Sequence, residues 1–354
     1  MPSKKIILIS NMYPAEENPS FGVFVANIEK ELLDSNFIVD KIVIKKKKKN
    51  IFEKLYFYMF FYIKIFFSLL FKKYDFIYAH YISHCSFPIL LAKIFNPHMK
   101  IISHIHGGDV KFLSGNNHAF FKLKNELSSL LLRRSEKVVC PSRTYMYYLY
   151  ERYPFIKDKN TIVYPSGGVS DIFFNTKKNV SYKNTITIGY AGRLIKSKNV
   201  DKIIEGISGI NNVSLYIIGD GDARESLVKQ AKKINNPIEF RTSLSQFELA
   251  KFFSNIDILI YPSDSESLGL VPLEAMTAGA YAILSDIPAF REFSELGIKF
   301  KMLTTISADE IKKEVLNFIH TKSEVNSIYY NNKEIIKDNY STQSIRDTLR
   351  NVFI

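Results

Sequence analysis

The sequence predicts an α/β protein of two domains, each a doubly wound parallel sheet covered by helices, facing a central cleft. Three observations carry this. The chain has 354 residues, 46% of them apolar, a length that suits two domains of middling size and a composition that can fill two cores. Short apolar runs alternate with amphipathic segments of helical period, the βαβ rhythm of a parallel sheet. That rhythm runs from Ile6 to Cys140 and starts again at Thr185, after a polar, aperiodic stretch, NTKKNVSYKN at 175–184, which reads as a linker.

Ile6-Ile7-Leu8-Ile9 is a continuous apolar run bounded by polar residues, as in a buried parallel strand. A loop over 10–20 and an amphipathic helix from about Phe21 to Leu33 follow. Then come a strand at 38–44, a helix at about 52–71, and strands near 76–79, 100–103 and 137–140. The second half reads as strand 186–191, helix 200–207, strand 213–218, helix 223–233, strand 238–240, helix 246–253 and strand 256–261. A further helix starts near Gly269–Val271 and runs to Ala278. The expected division is 1–175 and 176–339, with a last helix at about 340–354 packing back on the first domain.

The formal net charge is +13, and it is unevenly placed: residues 1–160 carry 25 Lys+Arg against 13 Asp+Glu, so nearly all the excess lies in the first half. Nucleic acid and an anionic membrane surface are both natural partners of such a surface, but no nucleic-acid-binding signature accompanies it. Five lysines at 45–49 precede a segment in which only Lys64 and Ser68 are polar from Leu55 to Phe71. An aromatic, apolar body with a basic rim is the composition of a helix lying in a membrane interface; a core helix and, with Lys64 at mid-length, a span are the alternatives. The two cysteines, Cys85 and Cys140, form no metal or disulfide pattern, and the first residues lack the apolar run of a signal peptide. The expectation is a cytoplasmic protein attached peripherally to the inner face of the cell membrane through residues 45–73.

Five motifs fall at the carboxyl ends of strands, where open α/β sheets bind ligands. In Gly189-Tyr190-Ala191-Gly192-Arg193-Leu194 with Lys198, a loop supplies an Arg fork and a Lys point charge, which suits a diphosphate and equally suits two solvated cations. Gly219-Asp220-Gly221-Asp222 is compatible with a nucleotide, and also with a turn and helix cap. In Ser263-Asp264-Ser265-Glu266-Ser267-Leu268-Gly269-Leu270-Val271-Pro272-Leu273-Glu274, two acids flank a glycine at a helix start whose free N–H groups favour an anion. Glu266 and Glu274 could then accept hydrogen bonds from sugar hydroxyls, or simply cap a turn and offset a helix dipole. His106-Gly107-Gly108-Asp109 follows a first-domain strand, with His80, His84 and His104 as competing histidines. Gly22 stands at the start of the first helix, in position to face an anion.

In this order the motifs resemble those of the retaining GT-B glycosyltransferases of glycosyltransferase family four. The similarity covers essentially the full chain and is strongest over 188–292. The resemblance implies that Arg193 and Lys198 bind the donor diphosphate, with the backbone of Leu268, Gly269 and Leu270 facing the phosphates or the transferred sugar. It implies that Glu266 holds hydroxyls of the transferred sugar and Glu274 the ribose. His106 would sit beside the reacting centre, Gly22 near the phosphates, and Leu244 near the base. Two positions depart from the family habit: Asn199 stands where glycine is usual, and Ser166-Gly167-Gly168-Val169-Ser170 replaces a common Asn-Gly-Val-Asp. The implied activity moves a sugar from a nucleotide-diphosphate donor to a hydroxyl of a lipid-linked glycan with retention, in bacterial surface-polysaccharide synthesis, without metal or cofactor. Two other readings remain: a GT-B nucleotide-sugar enzyme without lipid acceptor, epimerase-like, which product anomer analysis separates; and a non-catalytic basic membrane- or nucleic-acid-binding protein, which donor binding separates.

Overall fold

The computed structural model describes residues 3–17, 21–45, 50–108, 110, 118–179, 185–321 and 325–354. The lysines at 46–49, Asp109, and Pro19 and Ser20 of the first loop therefore lie outside the described residues. Two compact units result: residues 1–167 with 345–354, and residues 168–344.

The first unit is built from β1 (Lys5–Ser10), α1 (Val23–Asp34), β2 (Ile38–Val43), α2 (Ile51–Phe71), β3 (Phe76–His80), α3 (Ser86–Phe95), β4 (Ile101–His104), α4 (His118–Arg134), β5 (Lys137–Cys140), α5 (Arg143–Arg152) and β6 (Asn160–Val163). Its six strands are all parallel, in the order β2-β1-β3-β4-β5-β6. Side chains alternate across a strand, so Ile7 and Ile9 enter one core with Phe61, Ile65 and Leu69 of α2, while Ile6 enters another with Ile28 and Leu32 of α1.

The second unit continues with α6 (Asp171–Asn175), β7 (Ile186–Ala191), α7 (Val200–Gly206), β8 (Val213–Ile218), α8 (Arg224–Ala231), β9 (Ile238–Arg241), α9 (Gln246–Asn255), β10 (Ile258–Tyr261), α10 (Leu270–Thr277), β11 (Tyr281–Ser285), α11 (Pro288–Glu295), β12 (Lys301–Leu303), α12 (Ala308–Thr321) and α13 (Val325–Tyr340). Its parallel order is β12-β11-β10-β7-β8-β9. The last helix, α14 (Arg346–Val352), belongs to the first unit. Ile345, Leu349, Val352 and Phe353 are buried there beside Phe76 and Tyr78, each contributing about 1.5–3 kcal/mol by burial, and Arg346 pairs with Glu31 at 2.8 Å.

The units divide between Gly167 and Gly168 rather than at the expected 175/176. The reason is packing: Val169 and Phe173 are fully buried in the second unit's core, and Val169 N–H donates to Tyr340 O at 2.7 Å. The described part of the polar linker segment, residues 176–179, thus follows α6 inside the second unit, and 180–184 lie outside the described residues.

α2 is neither a plain core helix nor apolar by composition alone. Phe61, Ile65 and Leu69 form one buried stripe at helical spacing, while Phe52, Leu55, Tyr56, Met59, Phe60, Ile63, Phe67 and Phe71 are exposed. The segment Phe52–Phe71 is long and apolar enough to cross a membrane, yet only 17% of its most apolar window is buried.

Candidate active site

The predicted site residues form two groups, one per unit. In the second unit the strand order reverses between β7 and β10, and crevices of this kind open at the carboxyl ends of the two strands flanking such a reversal. Lys198 follows β7 and Glu266 follows β10, so the topology brings together residues 68 positions apart. Lys198 is 6% exposed. Its Nζ is ion-paired with Glu266 Oε1 and donates to Ser263 Oγ at 2.8 Å. Ser263 Oγ in turn donates to Glu266 Oε1 at 3.0 Å, and the Tyr261 hydroxyl, buried behind the pair, also hydrogen-bonds Glu266. Burial first, then the Glu266 charge, hold the Tyr261 hydroxyl protonated well above the usual phenol range. Ser285 Oγ fixes the loop by donating to Ser263 O at 2.6 Å.

Asn199 explains its own departure from glycine. It adopts the left-handed conformation, φ 51° and ψ 36°, one that asparagine tolerates better than most residues. Its Nδ2 donates to Pro262 O at 2.9 Å and Asp264 Oδ1 at 2.6 Å, while Asp264 N–H donates to Ser197 O at 2.9 Å. The side chain clamps the Lys198 loop to the Glu266 loop, a task glycine could not perform.

Arg193 is exposed in the same loop system, and no ion pair to its guanidinium occurs among the described residues. The Gly-Asp-Gly turn supports that loop: Leu194 N–H donates to Asp220 O and Ala223 N–H to Leu194 O, both at 2.9 Å. Asp220 Oδ1 accepts from Gly221 N–H at 2.9 Å. The turn reading of this motif therefore describes its geometry, with both aspartates exposed.

Gly269 caps α10 with φ 95°, and a Cβ there would lie 2.6 Å from the Phe290 ring. Only glycine fits. Leu268 is buried and Leu270 half-buried, so their side chains face protein while the helix start presents its N–H groups. Glu274, one turn along α10, is 8% exposed, and burial raises its carboxyl to a pKa of about 7. Leu244 stands apart. It lines an open pocket of about 890 Å³ with Tyr216, Arg241 and Glu248, and Lys198, Glu266 and Glu274 do not line it.

In the first unit the order reverses between β1 and β3. Gly22, with φ 73°, caps α1 after β1; a Cβ on it would strike the Met12 backbone at 2.7 Å. His106 lies just beyond β4 and is partly exposed. Its ring is packed among Phe24 of α1 at 4.6 Å, Tyr81 at 5.0 Å and His104 at 4.1 Å between centroids. His80 Nδ1 lies 2.9 Å from His106 Nε2. Burial, with His80 beside it, pushes the His106 pKa well below the ordinary value, so the ring is neutral. Of the competing histidines, His80 and His104 are fully buried behind it, and His84 faces Lys124 at 3.1 Å.

Known families match both halves. The profile described as "Glycosyltransferase Family 4" matches residues 22–166, and that described as "Glycosyl transferases group 1" matches residues 171–335. The chain is a GT-B glycosyltransferase. Among the glycosyltransferase's curated relatives is the O-antigen biosynthesis glycosyltransferase WclY of Escherichia coli. One protein of that description is 25% identical over 206 residues, 55% of either chain; another is 23% identical over 298 residues, 80% of this chain and 79% of the relative. The fold matches sucrose-phosphate synthase from Thermosynechococcus elongatus, with a TM-score of 0.80 at 16% identity over 99% of this chain and 98% of that one. It also matches Anabaena HepE in complex with UDP-glucose, with a TM-score of 0.76 at 15% identity over 98% of both chains.

Sequence reading missed three residues of the two candidate groups. Ser263 and Tyr261 surround the Lys198–Glu266 pair, and His80 holds His106. Ser263 opens the same motif as Glu266 and could have been found by asking what satisfies a buried ammonium. His80 was visible only as one of several histidines.

Proposed function

We propose that this glycosyltransferase moves a sugar from a nucleotide-diphosphate donor to a hydroxyl of a lipid-linked glycan, with retained anomeric configuration, in bacterial surface-polysaccharide synthesis. The observation that carries the donor assignment is the buried Lys198–Ser263–Glu266 cluster. An ammonium has three donors; Ser263 and Glu266 take two, and the third serves a donor oxygen. Arg193 supplies an exposed fork and the α10 start supplies backbone N–H groups. As the bond to the diphosphate breaks, negative charge grows on the leaving oxygens, and these fixed donors stabilise it without reorganising. Glu266, still able to accept on its other oxygen, holds hydroxyls of the transferred sugar, and Glu274 holds the ribose. The leaving phosphate helps to deprotonate the acceptor on the same face of the sugar, which retains configuration. The O-antigen description of WclY and the UDP-glucose bound by HepE support the acceptor and donor classes. A panel of UDP-glucose, UDP-N-acetylglucosamine, UDP-galactose and GDP-mannose, read by thermal stabilisation and donor hydrolysis, tests this. At least one should stabilise the protein and be hydrolysed with full activity after chelation of metals. No response to any of them, or strict metal dependence, counts against it.

The acceptor side rests on α2. Its buried stripe holds it along the sheet, and its exposed aromatic face is flanked by Lys64 and Lys72, which line an apolar groove with Ile63, Phe67 and Phe71. A helix with one stripe packed on the fold and an aromatic face exposed suits attachment to an anionic bilayer, aromatic body inward. The protein should sediment with vesicles containing phosphatidylglycerol at low salt. Replacing the lysines at 45–49 by glutamine should lower the bound fraction; equal binding to neutral vesicles and no response to those changes would overturn the attachment.

A further inference from the structure

The interior of the first unit holds a column of imidazoles that the reading of His106 does not itself explain. His80 ends β3 and His104 ends β4, cross-strand neighbours in register, both fully buried. Their Nε2 atoms have no hydrogen-bond partner among the described residues. His80 Nδ1 meets His106 Nε2 at 2.9 Å, and His104 Nδ1 meets the Tyr78 hydroxyl at 2.7 Å.

We propose that His80 is a positioning residue for His106: it donates from Nδ1 to His106 Nε2, places the His106 proton on Nδ1, and fixes the ring to which the family resemblance gives a place beside the reacting centre. A neutral imidazole carries one N–H and one bare nitrogen. Buried N–H groups without an acceptor are rarer in proteins than under-used acceptors, so the bare nitrogen of His80 takes the unpartnered Nε2 position. The proton is then on Nδ1, and the contact with His106 runs in one direction only. His106 accepts at Nε2, and its own proton goes to Nδ1. Burial keeps both rings neutral, His80 with a pKa of about 3, so no second proton disturbs the arrangement. Phe24, Tyr81 and His104 hold the faces of the His106 ring and the His80 bond sets its rotation. A histidine oriented by a hydrogen bond at its far nitrogen is a recurring device where tautomer matters.

The inference deepens the proposed function and rests on the role that the family resemblance implies for His106. Long-range proton–nitrogen correlation spectra of protein labelled in the histidine rings read the tautomer directly, without turnover. His106 should report Nδ1–H and His80 Nδ1–H in the wild type, and a His106 protonated on Nε2 overturns the proposal even if no variant folds. His80→Asn keeps a donor near the Nδ1 position and should preserve the tautomer and most of kcat. His80→Gln and His80→Leu should lose the tautomer and lower kcat by about tenfold or more with a smaller change in KM, on the sugar nucleotide selected by the panel above. Equal loss in the Asn and Gln variants overturns the positioning role. So does a transition metal retained after dialysis by His80, His104 and His106, whose candidate ligand atoms lie within 4.8 Å of one another, because a metal requires the bare nitrogens to converge. His106→Ala with unchanged turnover would remove the reading of His106 while leaving the tautomer result standing.

Discussion

Replacing Lys198 by alanine should lower kcat/KM by about a hundredfold and lower Tm as well. The two losses have different origins. A charge-assisted bond to a phosphate oxygen contributes about 1.5–3 kcal/mol, or roughly ten- to a hundredfold in rate. Removing one partner of a buried ion pair adds a folding cost of about 3–5 kcal/mol, because the other charge is left uncompensated. Here the orphan is Glu266, whose remaining neighbours, Ser263 and Tyr261, donate hydrogen bonds but no charge. Its side chain is 16% exposed, so water reduces that cost toward the lower end. Arg193 makes the contrast: it is exposed, and Arg193→Ala should cost activity with stability changed by no more than about 0.5 kcal/mol. The double variant Lys198→Met with Glu266→Gln separates the terms. Its Tm should recover relative to the sum of the single losses, since the two side chains touch and their effects are coupled, while activity stays low. Near-normal turnover in both Lys198→Ala and Arg193→Ala would sink the phosphate assignment. Additive Tm losses in the double variant would show that the pair does not govern stability.

That coupling marks the limit of what could be read from the chain. The central strands were legible because a parallel strand buried on both faces becomes a continuous apolar run, and Ile6–Ile9 and Ile258–Tyr261 are such runs. The Gly269 helix start was legible because the chemistry is local. The Lys198–Glu266 pair was not, because it depends on which strands flank β7: one is β8, its sequence neighbour, and the other is β10, three strands further along the chain. The unit boundary was misplaced for a related reason. Val169 and Phe173 are two apolar residues in an irregular stretch, and only tertiary packing decides which core receives them. Composition identified α2 as apolar and aromatic but could not say that the stripe Phe61, Ile65, Leu69 is buried and the rest exposed. Asn199 looked like a departure from a glycine rule; its side chain bonds to Pro262 and Asp264 turn it into a second solution to the same backbone requirement.

Glu274 gives the other large effect, and it is a pH effect. Burial raises its carboxyl from an ordinary value of 4.5 to about 7 in the folded protein. The folded state therefore binds this proton more tightly than the unfolded chain. The associated stability is fully present below about pH 4.5 and is lost as pH rises through about 7. A shift of this size corresponds to about 3 kcal/mol at most. Glu274→Gln cannot titrate, so its stability relative to wild type should climb from pH 4.5 to pH 7 and level off above, seen as a widening difference in Tm. A constant offset would show that the carboxyl does not titrate in that window. Donor binding should carry the same proton with the opposite consequence. Ribose hydroxyls donate most strongly to an ionised carboxylate, so binding below pH 7 must release a proton. Donor affinity should then rise with pH toward a plateau above 7, by up to about tenfold per unit below it. The heat of binding should depend on the ionisation enthalpy of the buffer. Glu274→Gln should abolish both dependences and weaken donor binding more than turnover, while Glu266→Gln should cut turnover more than affinity. A donor affinity independent of pH in the wild type, with Glu274→Gln unchanged in affinity, would take the ribose away from Glu274 and leave its burial as a matter of the α10 core alone.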